Sequence, residues 1–239
     1  MFLVEPEPTP ADVNFRLFGI PIRIHPFFWV MSLLLGQTFT LIPALIWIVA
    51  ALISILVHEL GHALVMVFYR QQPAIVLYAF GGMAIPRLAG RGSRWPTMRD
   101  LAITLAGPGT QLLLGVATVA LMFLLLGDVG GEGWFWFLPD VRGLPAQRVM
   151  EFLFQLAVIS IFWPILNLLP VYPLDGGQAV RTVLMKLNPY GGMRQSLILS
   201  VLVAVLLTVF AVVRMQSYFL AFLFGFLGVQ NMLALQESR

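Results

Sequence analysis

Apolar residues in this chain occur in long continuous runs, separated by short polar stretches. A run of about 20 apolar residues is long enough to cross the hydrocarbon core of a bilayer. Six runs approach or exceed that length, at 27–42, 44–69, 98–126, 149–169, 195–213 and 217–235. The pattern predicts an all-α polytopic membrane protein with about six transmembrane helices. We expect these spans to form one domain, residues 15–239, after a flexible amino-terminal tail, residues 1–14.

Two short stretches have compositions that are typical of β-strands. The first, 15–24, contains a turn signal at Gly19 and Pro21 and predicts a hairpin at the membrane surface. The second, 75–78, is followed by Gly81 and Gly82, which permit close backbone approach. We interpret this region either as an edge strand that receives an extended substrate or as an ordinary surface hairpin.

Composition supports the membrane assignment, because 59% of the 239 residues are hydrophobic and only 10% are charged. The basic residues are distributed among the loops as the positive-inside rule predicts, so the net charge of +3 does not indicate nucleic-acid binding. Loops two–three and four–five carry Arg70, Arg87, Arg91, Arg94, Arg99, Arg181, Lys186 and Arg194, against Arg142, Arg148 and Arg214 in the other three. We therefore expect both termini in the cytoplasm. Cysteine is absent, so any metal site uses nitrogen and oxygen ligands.

The second predicted span contains the sequence His58-Glu59-Leu60-Gly61-His62. Imidazoles spaced i, i+4 project from one face of a helix and can hold one zinc ion, while Glu59 can act on a metal-bound water. Titratable groups are costly in lipid, which favours a chemical role. The alternative is a pair of core histidines hydrogen-bonded within a helix bundle. The third histidine, His25, precedes Pro26 at an interface, and we interpret it as structural.

The fourth predicted span ends in a segment, 167–177, that combines Asn167 and Asp175 with prolines and paired glycines. Irregular backbone at membrane depth is tolerated where it is buried or lines a wet cavity. A catalytic zinc usually has three protein ligands, and Asp175 lies at the same end of the spans as His62. We favour Asp175 as the third ligand. It can also serve as the N-cap of a following helix, and the two roles are compatible.

Taken together, the chain resembles the site-2 protease family of intramembrane zinc metalloproteases. The matching residues are His58-Glu59-Leu60-Gly61-His62, Gly81-Gly82, Gly107-Pro108 and Asn167-x-x-Pro170-x-x-Pro173-Leu174-Asp175-Gly176-Gly177. The resemblance implies zinc held by His58, His62 and Asp175, with Glu59 as general base and Asn167 at the substrate or oxyanion. The family commonly has asparagine soon after the Gly-Pro pair, whereas this chain has Gln111. The length predicts a minimal form without a PDZ or CBS domain.

We therefore expect a zinc-dependent intramembrane endopeptidase of the inner cell membrane that cuts a transmembrane protein substrate near the cytoplasmic side, in regulated intramembrane proteolysis. Gly81 and Gly82 are the expected substrate clamp. One alternative is a membrane metal-ion transporter, since intramembrane histidines and carboxylates also mark ion pathways. A proteolytically inactive relative and a prenyl-protein endopeptidase are further alternatives. The sequence does not indicate an oligomeric state.

Overall fold

The structure of the chain is a computed structural model that describes residues 5–36, 40–79, 81–86, 97–126 and 144–237. Its elements are β1 (Val13–Leu17), β2 (Ile20–Ile24), α1 (Pro26–Gly36), α2 (Leu41–Phe68), β3 (Pro73–Tyr78), β4 (Gly81–Pro86), α3 (Met98–Leu126), α4 (Leu144–Asn167), α5 (Asp175–Leu187), α6 (Gly192–Val213) and α7 (Tyr218–Glu237). This arrangement confirms the predicted helical membrane fold with short strands. The segment Trp134-Phe135-Trp136-Phe137, whose composition is typical of a membrane interface, lies outside the described residues.

Among the described residues, five helices are long and apolar enough to cross a membrane, namely α2, α3, α4, α6 and α7. Helix α1 has 11 residues and extends about 16 Å at 1.5 Å per residue, roughly half of a hydrocarbon core. The expected boundary between the first two spans was wrong, because α2 already begins at Leu41. Gln37, Thr38 and Thr40 interrupt the apolar run there only briefly, so hydropathy alone does not place the helix boundary accurately. The sixth span stays a prediction.

By its internal contacts the chain divides into two compact units. The first comprises residues 1–89 and 109–164, and the second comprises 90–108 and 165–239. Helices α3 and α4 each continue from one unit into the other, and the divisions fall at Pro108 and Pro164. The single-domain organisation expected for 15–239 therefore remains a prediction.

The first unit contains a four-stranded sheet with the order β1-β2-β3-β4. Strands β1 and β2 are antiparallel and are joined by Phe18 and Gly19, which have φ angles of 52° and 79°. Two left-handed residues make the turn that matches strand twist, so the predicted hairpin is confirmed. Strand β3 pairs parallel to β2 after the crossover through α1 and α2, and β4 pairs antiparallel to β3.

This sheet packs directly against the part of α2 that carries the histidine motif. Its buried side chains form one core with residues of the helix, namely Ile20, Ile22, Ile24, Ile75 and Leu77 with Ile55, Leu60 and Ala63. Apolar β-branched residues suit both the pleated surface and this burial. The core therefore fixes the sheet beside the middle of α2.

The amino-terminal segment is attached to the sheet through Arg23, which is buried despite its charge. The Arg23 guanidinium donates to Glu5 at 2.8 Å, to Asp12 at 3.1 Å and to the carbonyl of Pro6 at 2.9 Å. The Thr9 hydroxyl and N–H donate to Asp12 and, together with the Arg23 guanidinium, hold the pKa of Asp12 below its usual value of 3.8. Residues of the expected tail are thus bonded to β2.

In the second unit α6 and α7 form an apolar hairpin, with Arg214 at the end of α6 as expected. A core of Val171, Ala204, Phe224 and Leu227 joins this hairpin to the segment between α4 and α5. The hairpin therefore serves as the support on which that irregular segment rests.

Candidate metal centre and active site

Helix α2 places His58, Glu59 and His62 in the interior, with exposed fractions of 4%, 4% and 8%. The two histidines are one helical turn apart, so their rings meet on one face of the helix. Their Nε2 atoms lie 3.1 Å apart. Two nitrogens bound to one tetrahedral zinc at about 2.05 Å are separated by roughly 3.4 Å. The imidazole pair therefore fits a single zinc ion.

His58 also belongs to a chain of buried polar side chains. Its Nδ1 lies 2.7 Å from Oε1 of Gln111, and the Gln111 amide donates to Oγ of Ser54 at 2.8 Å. The Ser54 hydroxyl lies 2.8 Å from that of Ser160 on α4. These bonds alone also agree with the alternative of a core histidine pair.

Sequence reasoning gave Gln111 no role. In the structure its side chain is completely buried and bonded at both ends. The available signal was a glutamine inside an apolar span, where an amide needs partners. Its partners lie more than fifty positions away along the chain, so the sequence did not name them.

Gly82 lies against the side chain of Glu59. A Cβ atom on Gly82 would come within 2.8 Å of Cδ of Glu59, whereas a Cβ atom on Gly81 would meet nothing within 4 Å. Close backbone approach is therefore required at Gly82 and not at its neighbour. The missing side chain lets β4 pass directly beside the carboxylate.

The direction of the backbone groups in β3 follows from one hydrogen bond. The carbonyl of Leu77 accepts from the N–H of His25 at 3.0 Å, on the β2 side of the sheet. The N–H and C=O of one strand residue point to the same side, and successive residues alternate. The backbone N–H and C=O groups of Val76 and Tyr78 therefore point towards β4.

Strand β4 is the last strand of the sheet among the described residues. Met83 and Gly81 stand opposite Val76 and Tyr78 and exchange hydrogen bonds with them. By alternation, the N–H and C=O groups of Gly82 and Ala84 point away from β3. The residue beside Glu59 thus presents its backbone on the outer edge of the sheet. Reception of an extended substrate at this edge stays a prediction.

The second unit carries the other predicted site residues. Asn167 is the last residue of α4, and Asp175 is the first residue of α5, with Leu174 at the N-cap position. The N-cap role considered for Asp175 is therefore not found. A Cβ atom on Gly176 would come within 2.6 Å of the Leu169 carbonyl oxygen, and Gly177 is similarly enclosed by the preceding segment. These glycines permit tight packing of the helix start.

Both backbone groups of Tyr172, three residues before Asp175, are bonded to side chains of the α6–α7 hairpin. Its N–H donates to Oγ of Ser200 at 3.0 Å, and its carbonyl accepts from Nδ2 of Asn231 at 2.5 Å. Asn231 is buried and also donates to the carbonyl of Leu227 at 2.7 Å. The hairpin thereby fixes the segment that leads to Asp175. The sequence alone assigned no role to Asn231 or to Ser200.

His25 lies at the start of α1, where its contacts agree with the structural role expected for it. Its Nδ1 accepts the N–H of Phe27 at 3.1 Å, and its ring stands edge-on to that of Tyr78. The histidine thereby satisfies a free backbone donor at the start of α1.

Residues 46–210 match Peptidase family M50. The chain belongs to peptidase family M50. It is 30% identical over 172 residues to stage IV sporulation protein FB of Bacillus subtilis, covering 72% of this chain and 50% of that protein. It is 26% identical over 233 residues to zinc metalloprotease MJ0392 of Methanocaldococcus jannaschii, covering 94% of this chain and 60% of that protein. The M50 chain thus spans about half the length of the curated relatives it matches.

The fold matches a solved structure, the site-2 protease from Methanocaldococcus jannaschii, with a TM-score of 0.59. The match covers 96% of both chains at 22% sequence identity. The resemblance drawn from the motifs is thereby confirmed. Family M50 and the names of the relatives indicate a zinc metalloprotease, which favours a protease over an ion transporter.

Proposed function

We propose that this chain is a zinc-dependent intramembrane endopeptidase that hydrolyses a peptide bond in or near a transmembrane segment of a membrane protein. The observation that carries the proposal is the buried pair of His58 and His62, with facing Nε2 atoms, next to Glu59 on a helix long enough to span a bilayer. Buried titratable groups on such a helix are energetically costly, so their presence there indicates a function.

Asp175 is the proposed third zinc ligand. With His58 and His62 it would supply two imidazole nitrogens and one carboxylate oxygen, which are donor types found in catalytic zinc sites. Three protein ligands leave one position of a tetrahedral zinc for water. Four of the other described carboxylates bond to other residues, namely Glu5 and Asp12 to Arg23, Asp100 to Thr97 and Glu151 to Arg148.

Glu59 is the proposed general base. Zinc held by His58, His62 and Asp175 would polarise the substrate carbonyl and would lower the pKa of water towards about 7. The Glu59 carboxylate takes the proton from the attacking water and delivers it to the leaving amine nitrogen. Asn167, at the end of α4, is proposed to contact the substrate backbone or the oxyanion. Each role uses a group whose chemistry matches the step.

The proposed substrate site is the outer edge of β4. A helical substrate hides its carbonyls in internal hydrogen bonds and must unwind before it is cut. An unwound segment can add to the edge by bonding to the outward backbone groups of Gly82 and Ala84. Because Gly82 lies against Glu59, a strand bound there passes beside the base. The space around Gly81, at the start of β4, is open, which leaves room for the bound substrate strand to begin there.

The proposed orientation follows from charge. Arg70 follows the end of α2, and the loops richest in arginine are expected to face the cytoplasm. His62 lies six residues before Phe68, which is about 9 Å along the helix. We therefore place the cut near the cytoplasmic side and both termini in the cytoplasm, in the inner cell membrane. Cleavage there releases a cytoplasmic fragment, as in regulated intramembrane proteolysis.

The test is to measure zinc per chain and cleavage of a transmembrane substrate in four purified, detergent-solubilised proteins. Wild type is expected to hold about one tightly bound zinc and to cleave. Glu59→Gln is expected to keep zinc without cleaving, while His58→Ala and Asp175→Ala lose zinc. Zinc retained by Asp175→Ala would remove that ligand from the proposal, and cleavage by Glu59→Gln would remove the base.

A further inference from the structure

We propose that Gln111 is a positioning residue that fixes which nitrogen of His58 carries a proton, and that Ser54 and Ser160 fix the orientation of Gln111. The inference rests on the proposed role of His58 as a zinc ligand. It assigns a function to Gln111, a polar side chain of α3 that lies within hydrogen-bond distance of His58. Four buried side chains are connected by these hydrogen bonds, namely His58, Gln111, Ser54 and Ser160.

The first step concerns the histidine. A neutral imidazole has one N–H and one lone pair, and only the lone pair binds a metal. The Nε2 atom of His58 faces the Nε2 atom of His62 at 3.1 Å, so it is the nitrogen directed towards the metal. The proton must then be on Nδ1. The atom facing Nδ1 must be a hydrogen-bond acceptor.

The second step concerns the amide. Gln111 has one oxygen that accepts and one nitrogen that donates, and the two are interchangeable by a half-turn. With Oε1 towards His58 at 2.7 Å, the Nε2 group is directed to Ser54, where it donates at 2.8 Å. A half-turn would place the amide donor against Nδ1 and favour the tautomer that cannot bind zinc through Nε2. The orientation of the amide thus decides the competence of the histidine.

The third step concerns the serines. Ser54 must accept from the amide, so its own hydroxyl proton is available to Ser160, whose Oγ lies 2.8 Å away. Gln111, Ser54 and Ser160 are all inaccessible to solvent. Bulk water therefore does not replace a lost partner in this chain of bonds, and each bond constrains the next. Donation from the Gln111 amide to Ser54 keeps Oε1 of Gln111 directed towards His58.

The test is the zinc affinity of the purified full chain, measured by competition with a chelator. Gln111→Met keeps the length of the side chain and removes the acceptor, and we expect about a 10- to 100-fold loss of affinity, as for other residues that orient metal-bound histidines. Gln111→Glu keeps an acceptor, and a carboxylate raises ligand basicity, so its affinity should equal or exceed that of wild type. Packing alone would predict the opposite order.

Two further variants separate orientation from general disturbance. Ser54→Ala removes the partner that holds the amide, so its affinity should lie between those of wild type and Gln111→Met. The control is Thr118→Val, on the same helix, where a buried hydroxyl donates within α3 to Leu114, and its affinity should be unchanged. If Gln111→Met does not fold, the comparison of Gln111→Glu and Ser54→Ala with Thr118→Val decides.

The inference is overturned if Gln111→Met binds zinc as tightly as wild type, if Gln111→Glu binds as weakly as Gln111→Met, or if Ser54→Ala matches Thr118→Val. Its failure can be distinguished from failure of the proposed function. Loss of zinc in His58→Ala with wild-type affinity in Gln111→Met removes only the positioning role. Zinc retained by His58→Ala removes the metal site itself.

Discussion

Gly82 and Glu59 are in such close contact that no side chain fits between them. A Cβ atom at position 82 would come within 2.8 Å of Cδ of Glu59 and would collide with the edge of Leu77 as well. The carboxylate of the M50 motif is therefore positioned from two sides, by its own helix and by the backbone of β4. Neighbouring Gly81 has open space around it, which provides a matched comparison.

Gly82→Ala is expected to reduce cleavage at least about tenfold while zinc content stays at the wild-type value. The new methyl group must displace the Glu59 side chain, and a misplacement of about 1 Å in a catalytic group costs on the order of 100-fold. The measurement is kcat and KM on a transmembrane substrate, with zinc determined in the same sample. Gly81→Ala is the matched comparison, and its effect should be much the smaller of the two because a Cβ atom there meets nothing within 4 Å. Equal rates for the two variants would disprove the steric explanation.

Ala84→Pro is expected to raise KM about three- to tenfold. Proline removes the outward N–H of Ala84, and a hydrogen bond contributes about 1 kcal/mol. Strand edges tolerate proline where the N–H points away from the ladder, so the sheet should persist. Ala84→Ser keeps the N–H and should bind substrate as wild type does. A wild-type KM for Ala84→Pro would argue against strand addition at this edge.

Asn231→Leu is expected to lower the free energy of unfolding in detergent by about 1–3 kcal/mol, because it leaves the Tyr172 carbonyl without its donor. Zinc content should fall too, since the segment that leads to Asp175 loses a support. Thr208→Val removes a hydroxyl that bonds within α6 and should change neither quantity. Normal zinc binding in a destabilised Asn231→Leu would show that this segment is positioned without the hairpin.

The stability contribution of Asp12 should depend on pH. Thr9 and Arg23 favour its ionised form, so its pKa in the folded protein is below 3.8. A lowered pKa stabilises the fold above the unfolded value, and the contribution disappears as pH falls through the folded value. Melting temperatures of wild type and Asp12→Asn should therefore differ at about pH 7 and converge below the folded pKa. Exposed Glu7, changed to Gln, is the control. A difference that persists in acid would contradict this explanation.

The sequence predicted the elements whose signals are local. The histidine motif, the 15–24 hairpin and five of the long apolar helices each depend on spacing or turn chemistry within a few residues. The boundary between α1 and α2 was misplaced although Gln37, Thr38 and Thr40 lie between them, because so short a polar stretch interrupts the apolar pattern only briefly.

The long-range features were not predictable in the same way. Pairing of β2 with β3 joins residues about fifty positions apart, and the contact of Gln111 with His58 spans 53 positions. No periodicity within one segment encodes such a partner. The structure supplied the direction of the β4 edge, because it depends on which neighbour Leu77 bonds to.

Backbone N–H and C=O groups are chemically the same in every peptide, and those of Gly82 and Ala84 point outward from the sheet. A clamp built from them responds to an extended conformation and not to the identity of side chains. Under strand addition, membrane proteins would then be selected by how readily a segment gives up its helical form, which glycine, proline and β-branched residues promote. Unrelated substrates with equally weak helices would be equivalent to this protease, and the sequence around a cut would show composition in place of a motif.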